Sequence, residues 1–426
     1  MIGFGAPKIR FARLKLALFR GRRPGRLCFT VDNTVRLLQT GVAFFPALIE
    51  RINAATREVS LETYIFSDDT AGRAVSDALM DAAGRGVRVR VITDGIGTVK
   101  IPLFDEWQKA NIEHRVYNPH LFGELGFSRT HRKLAVIDHQ IAFCGGINIT
   151  DDFQQNGLKL DYARWDFSIE TQGPVVADVR EAFEVQWQRI RLGVKPHRSG
   201  LEEGEQTLAE STRSNRRAVR ARLRARRGLI HAVDRPCLAF AARDNLFNRR
   251  AIEKAYLVAI SRAETEVMLA NPYFMPGRKL RRALAQAAQR GVCVTLVIGK
   301  KEFVALDYAT PFLYRTLLKY GVRIAEYEKT ILHGKVAVVD SNWATVGSSN
   351  LDALSLLLNN EANMVLVNHE IEIVQLRDAI LAAFHESQPV TAEHYAARPI
   401  GVRLLNWLAY NGYRTMMKML TVGRYD

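Results

Sequence analysis

The sequence predicts an α/β protein made of two similar halves, each a sheet flanked by helices, related by a pseudo-twofold. Two internal repeats and one set of polar spacings carry that expectation. In the first repeat, DAAGRGVRVRVITDG (81–95) matches AQAAQRGVCVTLVIGK (285–300): an Ala-rich helix end, a glycine (Gly86, Gly291) and a Val-rich strand. In the second, HRKLAVIDHQIAFCGGIN (131–148) matches HGKVAVVDSNWATVGSSN (333–350). In both copies Lys lies 2 residues beyond His, Asp 7, the first Gly 14 and Asn 17. Gap-free agreement at that separation marks a duplicated structural unit.

The elements follow in chain order. Residues 1–29 form a basic segment: positions 1–26 hold eight Lys/Arg and no acid, with Phe11, Leu14, Leu18 and Phe19 on one helical face. That reads as an interfacial anchor, with a segment like a mitochondrial transit peptide or an unstructured tail as the alternatives. The first half spans 30–200. AFFPALIERINAATREVSLETYIF (43–66) reads as an amphipathic helix followed by a strand in which Val59, Leu61, Thr63 and Ile65 alternate with Ser60, Glu62, Tyr64 and Phe66. The loop HLFGELGFSRT (120–130) is apolar, and its Phe122, Leu125 and Phe127 either admit acyl chains or cover the core. An Arg-rich linker, 201–235, carries eight arginines between Arg213 and Arg227 and is either solvated or a phosphate contact. The second half, 236–390, opens with AIEKAYLVAISRAETEVMLANPYF (251–274), the counterpart of 43–66. Residues 391–426 place Leu404, Leu405, Trp407, Leu408, Tyr410 and Tyr413 ahead of Met416, Met417, Met419 and Leu420. Trp and Tyr suit the headgroup level of a membrane, and a helix packed on the core is the alternative.

Composition narrows the function classes. At 426 residues and 48% hydrophobic, the chain is too long for one small core and too apolar to be disordered. No run of about 18 apolar residues predicts a transmembrane helix, and the N-terminus lacks the pattern of a secretory signal. The net charge of +16 points to an anionic partner: nucleic acid, a lipid surface or a phosphorylated substrate. Cys28, Cys144, Cys237 and Cys293 form no C-x-x-C pair. Cys144 and Cys293 lie in apolar strand-like runs, which predicts buried free thiols in a reducing compartment. No zinc spacing, phosphate-binding glycine loop or G-x-S-x-G elbow occurs.

Chemistry concentrates in the second repeat. On a strand, side chains two apart share a face, so His131 points with Lys133 and His333 with Lys335. Asp138 and Asp340 have the opposite parity and precede probable turns, where they are better placed to brace a strand end than to touch the same ligand atom. Asn148 and Asn350 can donate hydrogen bonds to an anion beside glycines that allow close approach. Two copies brought together supply two imidazoles, two ammonium groups and two amides around one phosphate. A neutral imidazole can attack phosphorus, a protonated one can serve the leaving alkoxide, and the lysines and asparagines can hold the oxygens. The lysine charges argue against a metal at that spot, and no cofactor is expected.

These residues resemble the paired H-x-K-x(4)-D motifs of the phospholipase D superfamily, over about residues 30–390. The resemblance implies one active site at the interface of two α/β halves, His131, Lys133, Asp138, His333, Lys335 and Asp340 as the catalytic set, and Asn148, Asn350 and Ser348 as phosphate contacts. It also implies an acidic residue after each motif that orients an imidazole, for which Asp166 and Glu361 are the candidates. SLETYIFSDDTAGRAVSDAL, THRKLAVID with GGIN, and ETQGPVV resemble the short bacterial cardiolipin synthases without transmembrane helices. That likeness implies phosphatidyl transfer between phospholipids through a phosphohistidine. It further implies phosphatidylglycerol as the substrate, with phosphatidylethanolamine as a further candidate, and a peripheral place on the cytoplasmic face of the bacterial inner membrane. An anionic membrane surface rather than nucleic acid is the expected partner, and no oligomeric state follows. Precedent leans to His131 as nucleophile, although the twofold leaves the order open. A hydrolase using water, a nuclease of the same superfamily and an inactive lipid-binding protein are the competing readings.

Overall fold

The computed structural model describes residues 27–120, 128–155, 157–192, 235–244, 248–300 and 304–420. The basic segment 1–26, Phe122, Leu125 and Phe127 of the apolar loop, and the eight linker arginines from Arg213 to Arg227 lie outside them.

Eighteen strands are present among the described residues. The first half contributes β1 (Phe29–Thr30), β2 (Thr34–Gln39), β3 (Glu58–Thr63), β4 (Arg88–Asp94), β5 (Glu113–Tyr117), β6 (Lys133–Ile137), β7 (Ile141–Gly145), the short pair β8 (Gln154–Gln155) and β9 (Leu158–Lys159), and β10 (Phe167–Gln172). The second contributes β11 (Cys237–Arg243), β12 (Glu266–Asn271), β13 (Cys293–Gly299), β14 (Arg323–Tyr327), β15 (Lys335–Val339), β16 (Trp343–Gly347), β17 (Glu361–Val367) and β18 (Gln388–Val390).

The duplication read from the repeats is a duplication of topology. One sheet runs β2-β10-β7-β6-β3-β4-β5; the other contains β11-β17-β16-β15-β12-β13-β14, the same order strand for strand, with β1 and β18 added at its edges. In each, the three strands joined by helical crossovers are parallel and the hairpin strands antiparallel. β1 belongs in sequence to the first half but pairs with β11, so the chain straps one half to the other.

Local chemistry fixes the repeated units. Helix Thr70–Gly84 starts where the Asp69 carboxylate accepts the Gly72 N–H, and it ends just before Gly86 at φ +86°. Helix Arg278–Gln289 ends in the same way before Gly291 at φ +91°. The conserved spacing of these glycines in the repeat is thus a left-handed helix stop that a side chain would strain. In β3 both alternating sets are buried: Val59 and Leu61 lie in an aliphatic core under the helices, while on the other face Ser60 meets Arg90, which pairs with Glu184 of helix Val176–Leu192, and Glu62 meets Arg132.

Helices pack on the outer face of each sheet over separate aliphatic cores. A third core lies between the sheets, where Leu134, Val136, Phe167 and Ile169 meet Val336, Val338, Ala362 and Met364. Burial of that much apolar surface makes the two halves one folded unit. The thiol expectation holds for Cys144, buried and pushed up to about 12 by burial, and fails for Cys293. Cys293 is exposed because it is the first residue of β13, before that strand enters the core.

Candidate active site

The two halves exchange backbone at the motifs. The His131 N–H donates to the Asn360 carbonyl (2.9 Å) and the Asn360 N–H to the Arg129 carbonyl (2.8 Å). In the mirror arrangement, the His333 N–H donates to the Trp165 carbonyl (2.9 Å) and the Trp165 N–H to the Ile331 carbonyl (2.9 Å). Each motif therefore enters its own sheet alongside the residue that precedes the other half's acid, Glu361 beyond Asn360 and Asp166 beyond Trp165.

The carboxylates are consequently swapped. His131 Nδ1 lies 3.0 Å from Glu361 Oε2, and His333 Nδ1 lies 2.5 Å from Asp166 Oδ2. The sequence proposed both acids but did not assign each to an imidazole, since that pairing is tertiary. His131, Lys133, Asp166, Lys335 and Glu361 are all buried. Each lysine ammonium donates to the carbonyl of its own motif's histidine, Lys133 to His131 at 2.8 Å and Lys335 to His333. Electrostatics link the halves into one center: burial depresses both imidazoles, and each is depressed further by Lys133 and Lys335 together.

The two imidazoles are not equivalent. His131 Nδ1 is also 3.0 Å from the Ser348 carbonyl, which can only accept, so Nδ1 carries the proton and Nε2 is left free. Glu361 Oε2 receives the Ser348 hydroxyl at 2.5 Å as well. Burial alone would raise the Glu361 carboxyl, but His131, Lys133 and that hydroxyl outweigh it and hold it below the usual carboxylate range. The position matching Ser348 is Gly146, so Asp166 has no hydroxyl donor there. A Cβ on Gly146 would collide with the Asp166 carboxylate, which explains the glycine. Asp166 accepts the Phe167 N–H (2.7 Å), yet burial pushes it up to about 7 against the pull of Lys335. Lys133 falls to about 7 through burial and then through Lys335.

Of the expected phosphate contacts, Asn148 and Asn350 are buried beside the motifs. Asn148 Oδ1 accepts the Ile65 N–H (3.2 Å), and Asn350 Nδ2 donates to the Tyr273 hydroxyl (2.7 Å). The Ser348 hydroxyl is turned to Glu361 and to the Ala362 N–H (3.0 Å), so it braces the acid. Asp138 and Asp340, grouped from the resemblance with the catalytic set, are corrected. Each sits at the far end of its strand, about 16 Å from the lysine by strand rise. Asp138 accepts the N–H groups of Thr56, Arg57 and Glu58; Asp340 accepts those of Glu264, Thr265 and Glu266. Both have φ +50°, a turn conformation that Asp tolerates. They lock β6 and β15 to the segments entering β3 and β12, as their parity suggested.

Further residues shape the site. Glu62, fully buried in β3, receives a bidentate pair from Arg132, Nη2 at 2.8 Å and Nε at 3.0 Å, and the Thr130 hydroxyl, and Asp94 at the end of β4 accepts the Thr130 N–H (2.9 Å). Tyr64 stacks edge-on against His131 at 5.0 Å. A charge inside an apolar strand, Glu62 in SLET, was the available signal for this bracing. Among the described residues, no group of three or more His, Cys, Asp or Glu is arranged to hold a metal.

The sequence matches the family described as cardiolipin synthase, PLD-like domain, over residues 48–187 and 256–383, which cover both halves and both motifs. The chain belongs to this family. It is 38% identical to cardiolipin synthase B of Salmonella typhimurium over 344 residues, 78% of this chain and 76% of that protein. It is 36% identical to cardiolipin synthase B of Escherichia coli K12 over 342 residues, with the same coverage of both. Among solved structures, phosphatidylserine synthase of Haemophilus influenzae superposes with a TM-score of 0.65 at 16% identity, covering 96% of this chain and 99% of that one, a likeness of fold. Each matched family segment thus contains one of the paired motifs and most of the half that carries it.

Proposed function

We infer that this chain is a phosphatidyltransferase that makes cardiolipin through a covalent phosphohistidine. The observation that carries the reading is the swapped carboxylate pairing, which draws an imidazole and a lysine from each half into one buried center in a chain of the cardiolipin synthase family.

The protonation asymmetry supports a division of labor. His131 has its Nδ1–H fixed between Glu361 and the Ser348 carbonyl, so its free Nε2 attacks the phosphorus of phosphatidylglycerol. Ionized Glu361 stabilizes the imidazolium that forms. His333 and Asp166 act as a unit that titrates together. With Asp166 near 7, the pair holds a transferable proton at neutral pH: Asp166–H to Nδ1 with Nε2–H is the same proton count as imidazolium with carboxylate. His333 Nε2–H protonates the glycerol oxygen as the P–O bond breaks, leaving the phosphatidyl group on His131. The deprotonated pair, neutral imidazole with ionized carboxylate, then takes the proton from a hydroxyl of a second phosphatidylglycerol, whose oxygen attacks phosphorus while the P–Nε2 bond breaks. The products are cardiolipin and glycerol, and the proton returns to the His333–Asp166 pair.

Lys133 and Lys335 neutralize the non-bridging oxygens within a site where burial strengthens each charge. Asn148 offers its Nδ2 to the same oxygens. Asn350 joins by turning its amide over, since the Tyr273 hydroxyl donates as readily as it accepts. The enzyme works peripherally on the cytoplasmic face of the inner membrane, a reading supported by four unpaired thiols and a +16 charge suited to an anionic leaflet.

The test incubates purified protein with phosphatidylglycerol vesicles and with plasmid DNA, with products identified by mass spectrometry. Cardiolipin with glycerol is the expected result. Phosphatidic acid alone would replace transfer with hydrolysis, and nicked DNA would replace the lipid reading altogether.

A further inference from the structure

Helix Ile400–Leu420 is amphipathic in an unusual sense: its outward face is apolar. Asn406, Tyr410 and Met417 are buried against the second half, Tyr410 beside Met275 and Phe312 and Met417 beside Leu357. At 100° per residue the opposite side of the wheel carries Ile400, Leu404, Leu405, Leu408, Met416 and Met419. All six are exposed, Ile400 by 81% and Met419 by 76%. Arg403, Arg414 and Lys418 line one flank together with exposed Trp407. Asn411 and Thr415 are the polar side chains on this face; isolated exposed leucines are ordinary, but six large apolar side chains on one face of one helix mark a docking surface.

The stripe is tied to the reaction center. The Tyr413 hydroxyl donates to Asp352, two residues beyond Asn350, and Tyr273, which holds Asn350, packs in the same cluster as Tyr410. Other exposed apolar side chains follow the same strand ends: Val99 (74%) beyond β4, whose last residue Asp94 holds Thr130, and Phe153, Leu158 (72%) and Tyr162 beyond β7. Ligands of open α/β sheets bind at the carboxyl ends of the parallel strands, and here these apolar side chains lie beyond that end.

We propose that helix Ile400–Leu420 lies flat in the headgroup layer of an anionic phospholipid bilayer and seats the mouth of the active site on that surface. The occupant follows from its neighbors: apolar residues facing out, Arg and Lys on the flank where lipid phosphates lie, Trp407 at the boundary, and a site that takes two-chain lipids. The last point rests on the phosphatidyltransferase reading.

The test uses the full chain and a Leu405→Glu, Leu408→Glu double variant. Sedimentation with vesicles of equal phosphatidylglycerol and phosphatidylcholine should show affinity at least tenfold weaker in the variant. Turnover of short-chain phosphatidylglycerol below its micelle concentration should change less than twofold, which certifies the fold. Trp407 fluorescence should be quenched by brominated lipid, and Trp407→Phe should remove that signal. Equal vesicle affinity in the two proteins would overturn the proposal. So would a wild-type dimer that the variant dissociates with vesicle affinity intact, since a second copy would then be the occupant. Shielding of Trp407 from acrylamide without vesicles would overturn it in favor of a segment of the chain itself. If neither protein acts on short-chain lipid while the variant still loses vesicle binding, docking stands and the phosphatidyltransferase reading falls.

Discussion

Replacing Asp138 with Asn should cost stability and leave the chemistry intact. Oδ1 of Asp138 accepts the N–H groups of Arg57 (2.8 Å) and Glu58 (2.9 Å), and Oδ2 accepts the Thr56 N–H (2.9 Å) and hydroxyl (3.0 Å). An amide nitrogen in place of Oδ1 faces two N–H donors and loses two bonds; in place of Oδ2 it loses the Thr56 N–H, while the Thr56 hydroxyl can turn to accept. At roughly 1 kcal/mol net per bond, and with Thr56 and Arg57 open to water, the loss is about 1–2 kcal/mol. Asn tolerates φ +50°, so backbone strain adds little. Asp340→Asn should behave alike, and the two changes, in separate halves, should add. Both carboxyls are held below their ordinary range: burial raises them, and the backbone N–H donors outweigh it. Their contribution is therefore present above the unfolded carboxyl pKa and is lost as pH falls through the lower folded value. Urea unfolding gives the stability, and single-turnover formation of the phosphoenzyme gives the chemistry. A variant of unchanged stability that loses turnover more than a hundredfold would refute the bracing role.

Two further outcomes follow from the site. Gly146→Ala should displace the Asp166 carboxylate and lower kcat by about a hundredfold through a misoriented His333. Gly84→Ala, whose Cβ meets no atom within 4 Å, should leave activity unchanged, and steady-state assays of both variants check this. The pH dependence has a definite sign. Asp166 is raised to about 7, so the proton for the leaving group is present below that pH and lost as pH rises through it. At saturating phosphatidylglycerol the rate of phosphoenzyme formation should fall above about 7, whereas an aryl phosphodiester, whose leaving group needs no proton, should show a flatter profile. Identical profiles would remove the acid role of the His333–Asp166 pair.

The duplicated spacing made the fold legible, because matching helix stops at Gly86 and Gly291 and matching hairpins after Asp138 and Asp340 are local devices. Strand parity separated those aspartates from the histidines and lysines before any coordinates. The exchange of Glu361 and Asp166 was not legible: it depends on how the sheets meet, and either acid lies at a plausible distance from either motif in sequence. The Ser348–Glu361 contact was not legible for a related reason, since a hydroxyl beside a glycine says nothing about which acceptor it finds once Glu361 is buried next to it. Glu62 and Tyr273 act through contacts distant in sequence and carry no motif of their own.

The central claim is that His131 attacks while His333 manages the proton at the same phosphorus. His333→Ala protein, mixed with an aryl phosphatidyl ester, quenched with alkaline detergent and digested above neutral pH for mass spectrometry, tests it directly. The phosphatidyl group should be found on the peptide carrying His131, at near-normal rate of formation. An adduct on His333 in the reciprocal His131→Ala protein, with none on His131, would contradict the account.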